Sequence, residues 1–498
     1  MLQWYSSPLK LGTSGILMFE ERAQCNNLPD LLSQLSGAIE QHQRYEYPDA
    51  MTTVDSWKAI LNQPVPSEGI GAEQVISEIG QHVVPNGSQI SKPGCSSYIT
   101  TAATDMGSIA TIAGIVASPQ RVGMTAFNHL EEVALSWLAE MFDLPEGMQG
   151  VLSSGGSTAN LIGLGAARQF AFEQVGLDPA NDGVQRACKI YATEHSHHTV
   201  HRAASVLGMG RKAMVHVPVD HMMRLSPSAL NKMLLEDKKS DALPVAIVAN
   251  AGSTNTGSID PLQEIGEIAR EHNIWFHVDG AYGLPGTLDP QVHDLYKGLA
   301  LADSITVDAH KWLGAPVGIG ATFVRDVQAQ YKTFNQGAAA YLDTTTVQKE
   351  QVENSMDELG FPYHDLGVEL SAPARGAIVW ALIREIGREG IKARICRHNG
   401  MARRVADLVK KHPHLELALE PTLSVCCFRY VHDNVADLNE LNKKIHRQLM
   451  KNGTNIPSTT MVDNKLVIRP CFLGARTDWH HADDLVNEVI EIGATLTS

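Results

Sequence analysis

The sequence predicts an α/β protein: a mostly parallel sheet in its middle, a helical segment before it and a small α/β lobe after it. Three observations carry this. Between residues 91 and 378, short apolar runs rich in β-branched residues alternate with amphipathic helical stretches, the signature of repeated βαβ units. Residues 1–90 carry helical periodicity only. Residues 379–498 follow a long amphipathic stretch with two short strand-like runs and one further helix. At 498 residues, 44% of them hydrophobic, the chain exceeds one ordinary core and fits a large domain with smaller lobes.

Each element has a local reason. In the first segment "LPDLLSQLSGAIEQH" and "GAEQVISEIGQHVV" have helical spacing, and "YEYPDAMTTVDSW" between them reads as a loop. The clearest βαβ unit runs "PVAIVANAG", then "DPLQEIGEIAREHN", a helix opened by Asp260 and Pro261, then "IWFHVDGA". "DSITVDAH" and "GIGATFVRD" are further strands. The long helix covers "ARGAIVWALIREIGREGIKARICRHNGMARRVADLVKKH", and "LSVCCFRYV", "DLNELNKKIHRQLMKNG" and "KLVIRPCFLG" complete the last lobe. No repeat, low-complexity tract or long linker separates the lobes, so they are expected to pack together.

Composition narrows the function. A net charge of -15 implies no basic face for nucleic acid or an anionic membrane. No uninterrupted apolar run is long enough to span a bilayer, and the N-terminus lacks the pattern of a secretory leader. The seven cysteines are scattered and never spaced CxxC, which argues against a disulfide framework or zinc ribbon and for reduced thiols. A cytoplasmic enzyme is expected.

Chemistry gathers in the middle region. "SSGGSTANLIGLGAARQF" sets small residues and hydroxyls before a helix, whose free N–H groups and dipole suit a phosphate; the alternative is a plain small-residue cap. It has neither the P-loop lysine nor GxGxxG. In "HVDGAY", Asp279 ends a buried strand, where α/β sheets place ligands and where a carboxylate needs a cationic partner or a structural role. In "SITVDAHKWLG", Lys311 follows another strand beside His310 and Trp312, placed to act as an amine nucleophile or else to sit solvated in a loop. "ATEHSHHTVHRA" holds four histidines, of which His197 and His201 with Glu194 could serve a metal-dependent hydrolase, although no HExxH joins them. Phosphate loop, strand-end Asp and Lys together match one ligand, pyridoxal 5'-phosphate (PLP), which carries a phosphate, an aldehyde and a basic ring nitrogen.

In these motifs the sequence resembles the group II PLP-dependent amino-acid decarboxylases, the family of the aromatic-L-amino-acid, histidine, tyrosine and glutamate enzymes. "SGGSTANL", "HSHHTVHRA", "GSTNTGSID", "HVDGAYG" and "DAHKWL" stand in the family's order. The resemblance implies the fold of the PLP-dependent transferases of the aspartate aminotransferase type (fold type I). It also implies a homodimer with active sites at the interface, assembled through residues 1–90, and decarboxylation of an L-amino acid to an amine and CO2. Lys311 would hold PLP as a Schiff base, and Asp279 would keep the ring nitrogen protonated. Gly156 and Ser157 would bind the phosphate with Ser304 and His310, Thr254 would approach the ring, and His197 would stack on it. Tyr341, in "NQGAAAYLDTTTVQKEQ", matches the family's proton-donating loop tyrosine. Arg375 in "SAPARG" fits an arginine near the site, with a helix-terminal ion pair as the alternative. "KPGCSSYITT" keeps Tyr98 but lacks the aromatic-rich pattern of the aromatic-substrate enzymes; Tyr98 and Thr101 are the substrate-side candidates. Arg121 reads as a surface charge, or else as a contact for an acidic substrate. The same frame would also serve an oxidative aldehyde synthase or a carbon-carbon lyase. No metal is expected.

Overall fold

The computed structural model describes residues 28–45, 53–118, 120–121, 125–335 and 362–498. Tyr341 lies outside them. The chain separates into two compact units, Met1–Ser88 and Gln89–Ser498.

The first unit is helical: α1 (Leu28–Gln43), α2 (Val54–Leu61) and α3 (Ala72–Glu78), the last running on into a π-helical turn at Ile79–Val83. Helix α2 begins inside the stretch expected to be a loop, because Val54, Trp57 and Leu61 are spaced for one helix face. None of the three helices buries a residue.

The second unit begins with β1 (Cys95–Ser96), α4 (Asp105–Ala117) and α5 (Ala126–Met141). The threonines Thr104 and Thr125 cap these helices by accepting the N–H groups of Gly107 and Asn128. Then come β2 (Gln149–Ser153), α6 (Gly156–Glu173), β3 (Cys188–Ala192), α7 (His198–Val206), β4 (Met214–His216) and α8 (Pro227–Asp237). The series continues through β5 (Leu243–Asn250), α9 (Leu262–Glu271), β6 (Trp275–Asp279), β7 (Ser304–Asp308), β8 (Gly320–Val324) and α10 (Val327–Phe334). Their seven strands lie in the order β2-β8-β7-β6-β5-β3-β4. All pairs are parallel except those of β8, which runs against both neighbours. Every residue of β6, β7 and β8 is buried, as a sheet covered on both faces requires. Helix α9 contributes Leu262, Ile265 and Ala269 to the core. Asp260 does not cap it. Its carboxylate turns inward and accepts the N–H groups of Leu225 and Asn250, both at 2.7 Å.

The long helix α11 (Arg375–Lys411) is broken at Gly387, whose φ of 66° interrupts the helical conformation. Val379 and Leu382 pack into the large core, and Met401, Val405 and Val409 into a second one. That second core lies beneath β9 (Leu415–Leu419), β10 (Cys427–Tyr430), α12 (Leu438–Asn452), β11 (Ile456–Val462), β12 (Lys465–Arg469) and α13 (Trp479–Thr497). The small sheet has the order β1-β11-β12-β10-β9. Its edge strand therefore comes from residues expected in the large domain, with Cys95 paired to Ile456 in parallel. Among the described residues no helix is long and apolar enough to cross a membrane.

Candidate active site

A cavity of about 370 Å³ opens at the C-terminal ends of β5, β6 and β7, where Asn250, Asp279 and Asp308 line it. One wall is the start of α6. After β2 the chain turns at Gly155, whose φ of 108° suits only glycine, and enters the helix at Gly156 and Ser157. A Cβ on Gly156 would lie 2.7 Å from Asp308 Oδ2, so the missing side chain is what lets this backbone approach the end of β7. The first N–H groups of an α-helix have no acceptor within it, and here, with the positive end of the dipole, they meet the cavity.

Beside this helix start stands Lys311, whose Nζ lies 3.1 Å from the same Asp308 Oδ2. Asp308 is 2% exposed, and its Oδ1 accepts no hydrogen bond from a described residue. The turn bearing the lysine is held on three sides. His310 Nδ1 donates to Ile319 O at 2.8 Å, Arg394 donates to Leu313 O at 3.2 Å, and the buried Trp312 stacks on Tyr282 at 4.9 Å. Trp312 Nε1 also donates to His398 Nδ1 at 3.1 Å.

Asp279 is surrounded by donors. Asn160 Nδ2 reaches its Oδ2 at 2.9 Å, and the Ala281 N–H reaches Oδ1 at 3.1 Å. His197 is the N-cap of α7, with φ -60° and ψ 138°, so its ring leaves the helix and faces the cavity. Its Nδ1 lies 2.8 Å from Thr199 Oγ1. Burial, opposed by the attraction of Asp279, holds its imidazole below the ordinary histidine value. The extended N-cap conformation also separates it from His201, which packs on His216 with ring centroids 5.5 Å apart, while Glu194 is exposed. Among the described residues no group of three His, Cys, Asp or Glu side chains is arranged to hold a metal ion.

Tyr98, Thr254 and His310 also line the cavity. Tyr98, at φ 59° and 66% exposed, stands at the mouth. Arg469 ties the walls together by donating to the carbonyls of Tyr98, Thr254 and Asn255. Other expected residues lie elsewhere. Ser304, at the start of β7 rather than its end, is buried against Trp275 and His277. Thr101 faces a separate cavity, and its Oγ1 donates to Ala102 O. Arg375 is buried in a bidentate pair with Glu369, at 2.8 and 2.9 Å, and donates to Gly318 O. Arg121 is no surface charge: it is 4% exposed and donates to the carbonyls of Leu152, Tyr363 and Glu369. Asn160 and Asp308 were not singled out from the sequence. Asn160 stands within the small-residue motif, and Asp308 three residues before the lysine, the one signal that could have marked it.

This arrangement fits PLP: an amine at one wall, a glycine cradle at a helix N-terminus, and a strand-end carboxylate whose described partners are all donors. The chain matches the model of the pyridoxal-dependent decarboxylase conserved domain over residues 55–431. It is 29% identical to the aromatic-L-amino-acid decarboxylase of Bacillus atrophaeus, over 84% of this chain and 84% of that protein. With the L-2,4-diaminobutyrate decarboxylase of Rhizobium meliloti (strain 1021) it shares 28% identity, over 87% of this chain and 83% of the relative. Its fold matches the crystal structure of Rhodiola rosea 4-hydroxyphenylacetaldehyde synthase with a TM-score of 0.80 at 23% identity, covering 95% and 98% of the two chains. The chain belongs to the pyridoxal-dependent decarboxylase family, and its cofactor is pyridoxal 5'-phosphate.

Proposed function

We propose that this protein decarboxylates an L-amino acid to the corresponding amine and CO2, with Lys311, Asp279, His197 and the start of α6 as its cofactor site. The observation that carries the reading is that these four groups, drawn from four separate segments, line one cavity. PLP, when bound, supplies an aldehyde that condenses with amines and a cationic ring that accepts electrons from the bond broken at Cα. Lys311 is the amine that holds it. As a free amine its Nζ has Asp308 at 3.1 Å as its counter-ion. Asp279 would hold the proton on the ring nitrogen, and Gly156, Ser157 and His310 would face the phosphate. His197 would cover the ring and orient the substrate carboxylate. Tyr341 is the proposed proton donor to Cα.

On the substrate side the lining offers Tyr98, Ile99 and Val317, and among its described residues no cation besides Lys311 and the two histidines. Among the described residues no arginine serves an acidic side chain there, since Arg121 and Arg375 are committed elsewhere; a neutral or cationic substrate side chain fits this lining better. The proposal includes a homodimer. The helices of the first unit bury nothing, and α4 exposes Ile109, Ile115 and Val116. The N-cap of α4 bonds the lysine turn through the Thr104 N–H and Gly314 O at 2.9 Å, and an exposed apolar face of this kind suits a partner surface. The six described cysteines are free, in keeping with a cytoplasmic location.

Incubating the holoenzyme with a panel of L-amino acids tests the reading. Amine and CO2 should appear in equal amounts and vanish in Lys311→Ala. Aldehyde, ammonia and peroxide in place of amine would assign the oxidative reaction instead, and absence of a Lys311-dependent PLP absorbance would overturn the site.

A further inference from the structure

Behind Asp279 lies a row of polar side chains that a sheet interior does not require. Trp275, His277, Ser304 and Asn160 are each no more than 1% exposed. Trp275 Nε1 donates to Ser304 Oγ at 2.8 Å, and Ser304 Oγ lies 2.7 Å from His277 Nδ1. His277 Nε2 lies 2.9 Å from Asn160 Oδ1. Asn160 Nδ2 then reaches both Asp279 Oδ2, at 2.9 Å, and Thr199 Oγ1, at 3.1 Å.

Only one direction of donation satisfies every member. The indole N–H of Trp275 can only donate, so Ser304 accepts it and passes its own hydrogen to His277 Nδ1. His277 is then neutral with its hydrogen on Nε2, which meets the amide oxygen of Asn160. The amide nitrogen is left to face the carboxylate. In the reverse tautomer the Ser304 hydrogen is stranded in the interior, and the Nε2 lone pair demands a flipped amide. That flip would set the Asn160 oxygen against Asp279 Oδ2, acceptor on acceptor. Burial, against the pull of Asp279, pushes the His277 imidazole down to about 4, which agrees with a neutral ring. The row also branches. His197 Nδ1 accepts the Thr199 backbone N–H at 3.4 Å, so the Thr199 hydroxyl, which accepts from Asn160, donates to that same nitrogen at 2.8 Å and leaves the Nε2–H of a neutral His197 for the cavity.

We propose that Trp275, Ser304 and His277 are positioning residues. They fix the Asn160 amide and through it set both the aim of Asp279 and the tautomer of His197, the two side chains that face the cofactor ring. This rests on the reading of Asp279 as the partner of the PLP ring nitrogen.

Two measurements test it. Neutron diffraction from the holoenzyme should place hydrogen on Nε2 of His277 and none on Nδ1; hydrogen on Nδ1 overturns the proposal whatever the cofactor does. PLP titration into apoenzyme gives the second readout. His277→Leu should weaken binding about tenfold. His277→Gln keeps a donor toward Asn160 and should restore affinity to within about threefold of wild type. A merely structural role would not separate the two variants. Equal affinities for His277→Leu and wild type overturn the proposal alone, whereas wild-type affinity in Asp279→Asn overturns the reading of Asp279 and the proposal with it.

Discussion

Gly156→Ala tests the glycine cradle directly. The added methyl carbon would lie 2.7 Å from Asp308 Oδ2 and 3.3 Å from Ala281 Cβ, and the first contact is too short to stand. Asp308 has little room to yield. Its Oδ2 is paired with Lys311 at 3.1 Å, and its side chain is buried at 2% exposure. The backbone at Gly155 and Gly156 must therefore move, which shifts the N–H groups that face the phosphate. Overpacking of this kind costs about 1–3 kcal/mol. Borne wholly by the cofactor complex, that is a loss of roughly 5- to 150-fold in PLP affinity. The assay is titration of apoenzyme with PLP, followed by tryptophan fluorescence, with circular dichroism to verify folding. A Kd within about twofold of wild type would refute the assignment of this helix start as the phosphate site.

Two further outcomes follow from the geometry. His197→Ala should lower kcat by about 100-fold while His201→Ala changes it less than about threefold, since only the first ring faces the cavity; steady-state kinetics with the preferred substrate decides. His398 should make stability fall in mild acid. Its Nδ1 accepts from Trp312 and its Nε2 donates to Gly474 O at 3.1 Å, and burial, aided by Arg397 and Arg394, pushes it from 6.5 down to about 3. The folded state thus holds this ring neutral. Its contribution is complete above about pH 6.5 and is lost as pH falls toward the folded value, amounting to about 2 kcal/mol by about pH 5. Denaturant melts at fixed protein and PLP concentration should show a shallower acid loss in His398→Asn, and an unchanged slope would remove His398 as its source.

Much of this protein was legible because its signals are local. The strands over residues 275–279 and 304–308 are short runs rich in aromatic and β-branched residues, and α9 shows its buried stripe in ten residues. Asp279 and Lys311 could be placed because a strand end lies in a known direction once the strand is identified. The misplaced residues depended on distant partners. Arg121 is buried because carbonyls of β2 and of residues 363–369 surround it, whereas Arg375 pairs with nearby Glu369, the helix-terminal ion pair that the sequence offered as its alternative. Ser304 sits on the right strand at the wrong end, a distinction that the sheet register makes and the motif does not. Cys95 joins the small sheet only because Ile456 returns beside it.

By itself the sequence determined the fold class, the order of the βαβ units and the chemical types required at the cofactor site, since hydrophobic period and motif spacing are properties of neighbouring residues. The family resemblance already singled out His197 among four crowded histidines; tertiary structure alone decided that Asp308 stands beside the lysine, and that Trp275, Ser304, His277 and Asn160 form one row behind Asp279. Those contacts join residues up to 119 positions apart. Their meaning lies in which atom donates and which accepts, and only the packed sheet brings those atoms within hydrogen-bond distance.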